Sequence, residues 1–230
     1  MSAASRSVHE DLDTPVRRIA QVLARFEANR RGLLGWIDRS WLPAWAVCLE
    51  SGPCADDGSA ALARALGVDV LDLDACRDSD AGLGVLATLA VDQVLTMLRV
   101  RSVWFRRNEL RRFVGRESRE HCVRLLGTPR AADLLRHMRA APAGPQLEPL
   151  RRAGMLSLEA LTAPLLAWEG WCLFRRDGAL PFDGPLDLVR LALPRELAEP
   201  KWLAACEGTL DGDGSIETLR LLPHLHLERS

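Results

Sequence analysis

The sequence contains no tyrosine and only five phenylalanines. Of its 30 basic residues, a single one, Lys201, is a lysine. Threonine and isoleucine are also sparse, whereas alanine, leucine, arginine and glutamate are common. Sheets recruit β-branched and aromatic side chains, while straight side chains lose little rotamer freedom in a helix. The composition therefore predicts a mainly α-helical protein. Hydrophobic residues make up 48% of the 230 positions and charged residues 27%, which is typical of a globular chain.

Membrane and export signals are also missing from the sequence. No stretch approaches the roughly 18 consecutive apolar residues of a transmembrane helix. The N-terminal segment carries Glu10, Asp11 and Asp13 and no apolar run, unlike a secretory signal. We therefore expect a cytoplasmic protein that does not insert into the membrane, in a compartment where thiols stay reduced.

The sequence lacks the patterns that usually mark catalysis or metal binding. It has no G-x-S-x-G nucleophile elbow and no phosphate-binding loop with a lysine. Its six cysteines form no C-x2-C pair and have no histidines at zinc-finger spacing. The segment Asp211–Ser215 resembles the start of a calcium loop, but the twelfth position, which needs a bidentate glutamate, is Leu222. We expect no catalytic residue, no cofactor and no metal site.

The pattern along the chain predicts an irregular multi-helix bundle. We expect a disordered N-terminus over residues 1–14 and a helical region over 15–139. A Pro/Ala-rich linker at 140–150 then leads to a C-terminal helical region, 151–230, packed on the first as one globular unit. A helix over Glu117–Leu126 should end at Gly127, which suits the left-handed position after a helix. Alternation of apolar and polar residues near 186–193 predicts a short strand or extended segment.

Charge is distributed unevenly along the chain. Between Glu50 and Asp92 there are nine acidic and two basic residues, a net charge of −7. Between Arg99 and Arg139 there are twelve arginines and four acidic residues, a net charge of +8. Such asymmetry can steer charged partners toward different parts of a protein.

The arginine-rich stretch over residues 99–139 supports two interpretations. Trp104 and Phe105 lie among its arginines and could stack on bases while the arginines grip phosphates, which would make this a helical regulatory or nucleic-acid-binding protein. Alternatively, the arginines lie on a solvated face that binds an acidic protein partner or only water. The candidate partner-binding arginines are Arg106, Arg107, Arg111, Arg112, Arg116 and Arg119.

Three tryptophans, Trp36, Trp41 and Trp45, lie close together in the first fifth of the chain. Large aromatic side chains usually belong to a core. If some of them are exposed, they would form a hot spot for a protein partner, where tryptophan and arginine are enriched. The sequence leaves both possibilities open.

Three stretches resemble the SctK family of the type III secretion sorting platform. The Trp36–Trp45 region is similar to the family's N-terminal Leu/Trp/Pro-rich segment. Residues 94–100 followed by 108–114 resemble its central apolar helix and the short basic helix after it. The pattern of residues 188–194, followed by Glu199-Pro200-Lys201-Trp202-Leu203, is similar to the family's ending.

This resemblance implies a non-enzymatic adaptor at the cytoplasmic face of the inner membrane. Such a protein would bind the SctD-type inner-membrane ring protein and the SctQ-type pod protein. Through the pod it would connect indirectly to the SctL stator and the SctN ATPase. The basic face from Arg106 to Arg119 would meet one partner, and exposed tryptophans near Trp36–Trp45 would help meet another. No nucleic acid is expected on this interpretation.

Overall fold

The computed structural model describes residues 4–47, 55–68, 71, 85–178, 184–204 and 211–225. All regular secondary structure in these ranges is helical, which confirms the mainly α-helical prediction. The α-helices are α1 (Ala4–Arg31), α2 (Leu33–Trp36), α3 (Ala44–Val47), α4 (Ala55–Ala65), α5 (Val91–Phe105), α6 (Arg107–Leu110), α7 (Arg116–Leu126), α8 (Ala131–Ala140), α9 (Glu148–Arg152), α10 (Ala163–Arg176), α11 (Lys201–Ala204) and α12 (Gly214–Arg220). Short 3-10 helices cover Arg39–Trp41, Leu86–Thr88, Leu158–Ala160, Asp187–Ala192 and Leu222–Leu225.

The chain divides into two compact units, each built from two separate stretches of sequence. The first comprises residues 1–91 and 181–192, and the second comprises residues 92–180 and 193–230. The boundary falls at the start of α5, and the segment predicted as a linker, 140–150, lies inside the second unit. The helix α1 begins at Ala4, so residues 4–14 are helical where we expected disorder.

The first unit is organised around the C-terminal half of α1. Its apolar core contains Phe26, Leu33, Leu34, Ile37, Ala46, Leu62, Ala63, Leu188 and Leu191. Polar contacts fix the connections around this core: Arg25 Nε donates to the Thr88 carbonyl at 3.2 Å, and the Asp38 amide donates to the Leu191 carbonyl at 2.8 Å. These bonds join segments that are far apart in sequence.

The strand or extended segment predicted near 186–193 is wrong, because Asp187–Ala192 forms a 3-10 helix. With three residues per turn, side chains at positions i and i+3 lie on the same face. Leu188 and Leu191 are spaced in this way, and both pack into the core of the first unit. The apolar spacing that resembled a strand therefore belongs to a tight helical turn.

Helix α5 is the central helix of the second unit. Its side chains are buried nearly all round, including Val94, Met97, Val100 and Phe105. A helix that is apolar on every side is typical of a position inside a bundle. Helix α10 crosses it very closely at Gly170: a Cβ atom added there would lie 1.8 Å from the Leu98 carbonyl oxygen. Only glycine permits this approach of the two backbones.

Helix α7 packs against α8 and α10 within the second unit. It buries Cys122, Leu125 and Leu126 and leaves its opposite face in solvent. As predicted, Gly127 ends the helix with a left-handed backbone (φ 63°), and its amide donates to the Val123 carbonyl. This local prediction is confirmed because glycine meets no steric penalty at positive φ.

Candidate functional site

Three arginines of the basic stretch are buried in the second unit. Arg101 is fully buried, Arg106 is 1% exposed and Arg107 is 7% exposed. A buried guanidinium group is tolerated only where carboxylates or carbonyl oxygens replace the water it has lost. The carboxylates and carbonyl oxygens that bind these three side chains therefore help to stabilise the second unit.

Arg106 lies between α5 and α6 and forms a two-pronged ion pair with Glu169 of α10. Its Nε and Nη2 atoms each lie 2.6 Å from a Glu169 carboxylate oxygen. Its Nη1 atom donates to Glu109 at 3.2 Å and to the Leu156 carbonyl at 2.7 Å. Burial by itself lowers the pKa of Arg106, but Glu169 and Glu109 together raise that pKa above its ordinary value. The guanidinium is therefore charged and makes four hydrogen bonds.

The two carboxylates that hold Arg106 have further partners of their own. Ser102 donates to Glu169, and the Leu158 amide donates to Glu109 at 2.8 Å. Arg151, which is partly exposed, completes the group with a 3.0 Å ion pair to Glu109. This network joins α5, α6, α9 and α10 through side chains that are distant in sequence.

Arg101 forms a second buried cluster. Its guanidinium grips Asp211 through two bonds of 2.7 and 2.9 Å and donates to Asp177 at 2.8 Å. Its Nε atom donates to the Ser215 hydroxyl at 3.0 Å, and Ser215 in turn donates to Asp177. The segment that resembled a calcium loop in the sequence therefore uses its first aspartate as an ion-pair partner that fixes α12 to α5.

Arg107 is buried against backbone carbonyls. Its guanidinium donates to the carbonyl oxygens of Trp104, Pro142 and Ala143 at 2.8 to 3.2 Å. It also lies over the Trp104 ring, 4.9 Å from the ring centre. Burial lowers the pKa of Arg107, and the charge of Asp211 only partly opposes this. The segment predicted as a linker is thus fixed in place by a buried arginine.

The prediction of one solvated arginine face is wrong for Arg106 and Arg107. Helix α5 ends at Phe105 and a new helix begins at Arg107, so Arg106 itself has non-helical dihedral angles (φ −87°, ψ 13°). A helical projection continued past Phe105 therefore assigns the next side chains to the wrong side. Arg101 was missed although it lies on the same helical stripe as Val94, Leu98 and Phe105. A charged residue within such an apolar stripe is the signal that would have revealed it.

The other four candidate arginines are exposed. Arg111 donates to the carbonyl of Arg139 at 3.2 Å, and Arg119 donates to the carbonyl of Val114. Arg116 is 90% exposed and pairs with Glu120 one turn later. Arg112 has no carboxylate partner among the described residues. The exposed arginines thus lie around the loop between α6 and α7 and along the outer face of α7.

The aromatic residues expected to stack on nucleic-acid bases are buried. Trp104 is 5% exposed, and Phe105 is fully buried and stacks on Trp202 with ring centres 5.5 Å apart. Neither ring can receive a base without opening the second unit. The base-stacking part of the nucleic-acid interpretation is therefore wrong.

The three tryptophans of the first unit have different environments. Trp36 packs against the apolar core and donates from its indole nitrogen to the Asn29 carbonyl at 2.9 Å. Trp41 also packs against the core, and Arg190 lies over its ring. Trp45 is 46% exposed, beside the exposed Val47. Of the three, Trp45 is the one whose ring is available at the surface.

Comparison with known families decides the broad identity of the chain. A family model described as bacterial type III secretion protein (HrpB4) matches residues 13–228. The chain belongs to this family. The match confirms the type III secretion assignment and is consistent with an SctK-like protein of the Hrp branch. No curated protein and no solved structure matches this HrpB4-family chain.

The HrpB4 match covers residues of both compact units. The buried arginine clusters and the exposed arginines of α7 all lie within the matched residues. Across the described part of this HrpB4-family chain, no helix combines the length and apolar character needed to cross a membrane.

Proposed function

We propose that this protein is a non-enzymatic adaptor of the type III secretion sorting platform. It links the cytoplasmic part of the inner-membrane ring protein to the pod protein, and through the pod to the stator and the export ATPase. Its place is in the cytoplasm, against the inner-membrane face of the secretion machine. The observation that carries this proposal is the match of the HrpB4 family to residues 13–228, together with the resemblance to SctK in three separate stretches.

The use of the polar side chains supports a structural role for the protein. The buried carboxylates of Glu109, Glu169 and Asp211 each hold an arginine, so they are committed to the fold. Burial raises the pKa of the Cys122 thiol to about 11, although Arg139 opposes this shift. A thiol with that pKa is almost entirely protonated at neutral pH and is a poor nucleophile.

Co-purification of defined components tests the proposal. The full-length protein would be mixed with the purified cytoplasmic domain of the ring protein and, separately, with the purified pod protein from the same bacterium. We expect each mixture to give a complex in size-exclusion chromatography with light scattering, and all three proteins together to give a ternary complex.

A matched measurement uses a fluorescent DNA duplex and an RNA of similar length at two salt concentrations. One outcome would overturn the adaptor proposal in favour of a nucleic-acid-binding protein. In that outcome the protein binds nucleic acid with an affinity that falls steeply with salt, and it forms no complex with the ring-protein domain or the pod protein. Binding to one protein alone would overturn the bridging role and leave a single-partner subunit.

A further inference from the structure

We infer that the outer face of α7 and the loop before it form a docking surface for an acidic segment of a partner protein. This surface, here called the arginine–valine surface, consists of Arg112, Val114, Arg116, Arg119 and Val123. The inference rests on the proposed function, because it assigns a surface and a chemistry to one of the adaptor's contacts.

The charge of this surface is not neutralised within the described fold. Between residues 111 and 124 there are five arginines and two glutamates, a net charge of +3, and all five arginines are exposed. Arg116 forms an ion pair with Glu120, whereas neither Arg112 nor Arg119 forms an ion pair among the described residues. Positive charge that the fold leaves unpaired attracts negative charge from a partner and raises the rate of association.

Two exposed valines lie among these arginines. Val114 is 76% exposed and Val123 is 36% exposed. Arg119 donates to the Val114 carbonyl and lies one helical turn before Val123, so all three residues lie on the same part of the surface. Exposed apolar side chains close to exposed arginines suit a protein segment that carries both acidic and apolar residues. Binding to phosphates alone would not use the valines.

The helix that carries this surface is held in place by the fold. This favours binding, because few groups have to be ordered when a partner docks. Helix α7 is anchored from below by Cys122, Leu125 and Leu126. Arg99 donates to the carbonyls of Leu125 and Leu126 at the end of the helix. Near its start, Ser118 donates to Glu159 at 2.8 Å. The exposed arginines and valines therefore project from a helix held at both ends.

Charge reversal with a matched control tests the inference in the full-length protein. The test variant combines Arg112→Glu, Arg116→Glu and Arg119→Glu. The control combines Arg64→Glu, Arg152→Glu and Arg220→Glu, which are also exposed and give the same change in net charge. Affinity for the ring-protein domain and for the pod protein would be measured by calorimetry at low and high salt, with thermal unfolding as a check on folding.

We expect the test variant to lose about tenfold or more in affinity for one of the two proteins, the combined effect of three exposed ion pairs of ordinary strength. The loss should shrink at high salt. The control variant should bind as the wild type does. If the wild type binds and both variants bind equally well, the surface assignment is overturned while the adaptor proposal stands. If the wild type binds neither protein, the adaptor proposal fails and takes this inference with it.

A substitution that does not alter charge provides a second test if the triple variant fails to fold. Val114→Ser should weaken binding to the same protein by about threefold to tenfold at both salt concentrations, because it removes apolar contact area. Its control is Ile216→Ser, since Ile216 is another exposed apolar residue (52%) but lies on α12. Equal binding by Val114→Ser and wild type would overturn the apolar part of the surface. Loss of DNA binding by the triple arginine variant, with its protein binding unchanged, would reassign the surface to nucleic acid.

Discussion

The buried and exposed arginines of the second unit come from one continuous basic stretch, yet they do opposite things. Arg101 and Arg106 lie inside the fold, where carboxylates from distant parts of the sequence neutralise them. Arg112 and Arg119, only a few residues later, lie in solvent without a carboxylate partner among the described residues. The difference is not one of composition, because both sets lie in similar runs of arginine with apolar neighbours.

Long-range carboxylates account for the difference. Arg106 meets Glu169 across 63 residues, and Arg101 meets Asp211 across 110 residues. Arg101 and Arg106 hold helices together through such partners, whereas Arg112 and Arg119 have no carboxylate partner among the described residues and lie at the surface. The arginines near α5 therefore stabilise the unit, while those of α7 supply its free charge.

The largest effect expected from breaking this arrangement comes from Glu169→Ala. It leaves the buried Arg106 without its two-pronged partner and removes the acceptor of Ser102. Loss of one member of a buried ion pair typically lowers the free energy of unfolding by about 3–5 kcal/mol. Chemical denaturation followed by circular dichroism measures this change. The control is Glu196→Ala, at an exposed position, which should change stability by less than about 0.5 kcal/mol.

A loss of less than about 1 kcal/mol on Glu169→Ala would mean that water reaches Arg106 once the carboxylate is gone. In that case the distinction between buried and exposed arginines would be much weaker than the structure indicates.

The next largest effect is expected from Gly170→Ala, which tests the helix contact that places Glu169 beside Arg106. The new Cβ atom would lie 1.8 Å from the Leu98 carbonyl oxygen and 2.6 Å from its carbon, so α5 and α10 must move apart. Overpacking of this kind lowers the free energy of unfolding by about 1–3 kcal/mol, occasionally more. Thermal unfolding and denaturation curves report the loss.

Gly35→Ala is the matched control for that substitution. Gly35 also lies in a helix, α2, but a Cβ there would meet no atom within 4 Å. We expect unchanged or slightly increased stability, because alanine favours helix more than glycine does by about 0.5–1 kcal/mol. Equal effects of the two substitutions would show that the close approach of α5 and α10 is not required.

A smaller effect is expected at Arg99, which is intermediate between the two groups of arginines. Its side chain is partly buried and donates to the carbonyls of Leu125 and Leu126. Burial lowers the pKa of Arg99, and Asp92 only partly opposes this. Arg99→Met should lower the free energy of unfolding by about 1 kcal/mol, the usual value of a lost hydrogen bond.

Arg116→Met provides the comparison for Arg99→Met, since Arg116 is 90% exposed and pairs only with Glu120. An exposed pair of this kind contributes about 0.3–0.5 kcal/mol. If the two substitutions had the same effect on urea denaturation, burial would not be the property that separates the two groups of arginines.

Local features of the fold could be predicted from the sequence. The end of α7 at Gly127 and the mainly helical character depend on short-range rules of composition and capping, so a single sequence reveals them. The assignment of Arg106 to a solvated face failed because the break between the two helices falls at Arg106 itself, where α5 has ended and α6 has not begun. The prediction of an extended segment near 186–193 also failed, because apolar residues at 3-10 spacing resemble the alternation of a strand over a few residues.

The pairs that define the buried clusters could not be predicted from one sequence. Nothing in the spacing of Arg101 indicates Asp211, because a contact across 110 residues depends on the whole fold. The arginine–valine surface was predicted only in part. The exposed arginines of α7 were named, but Val114 and Val123 were not, since exposure depends on which helices cover which face.

The smallest expected effect concerns Glu27 in the first unit, an exposed counterpart of Glu169. Glu27 accepts hydrogen bonds from Arg30 at 2.8 Å and from Arg31 at 2.9 Å. The hydrogen bond from Arg30 is the main cause that lowers the pKa of Glu27 from 4.5 to about 2, against a smaller opposing effect of burial. Because the folded pKa lies below the unfolded one, the stabilisation is present above about pH 4.5 and is lost as the pH falls toward 2.

Nuclear magnetic resonance titration of the Glu27 carboxyl group should therefore show a midpoint near pH 2. Arg30→Gln should raise that midpoint toward 4.5, while Arg64→Gln, on a different helix, should leave it unchanged. Glu27→Gln should lower the free energy of unfolding at pH 7 by only about 0.5 kcal/mol or less, because solvent screens a pair whose carboxylate is 37% exposed. A midpoint near 4.5 in the native protein would show that the two arginines do not hold Glu27 in solution. A loss as large as that of Glu169→Ala would show that burial does not decide the strength of the arginine–carboxylate pairs in this protein.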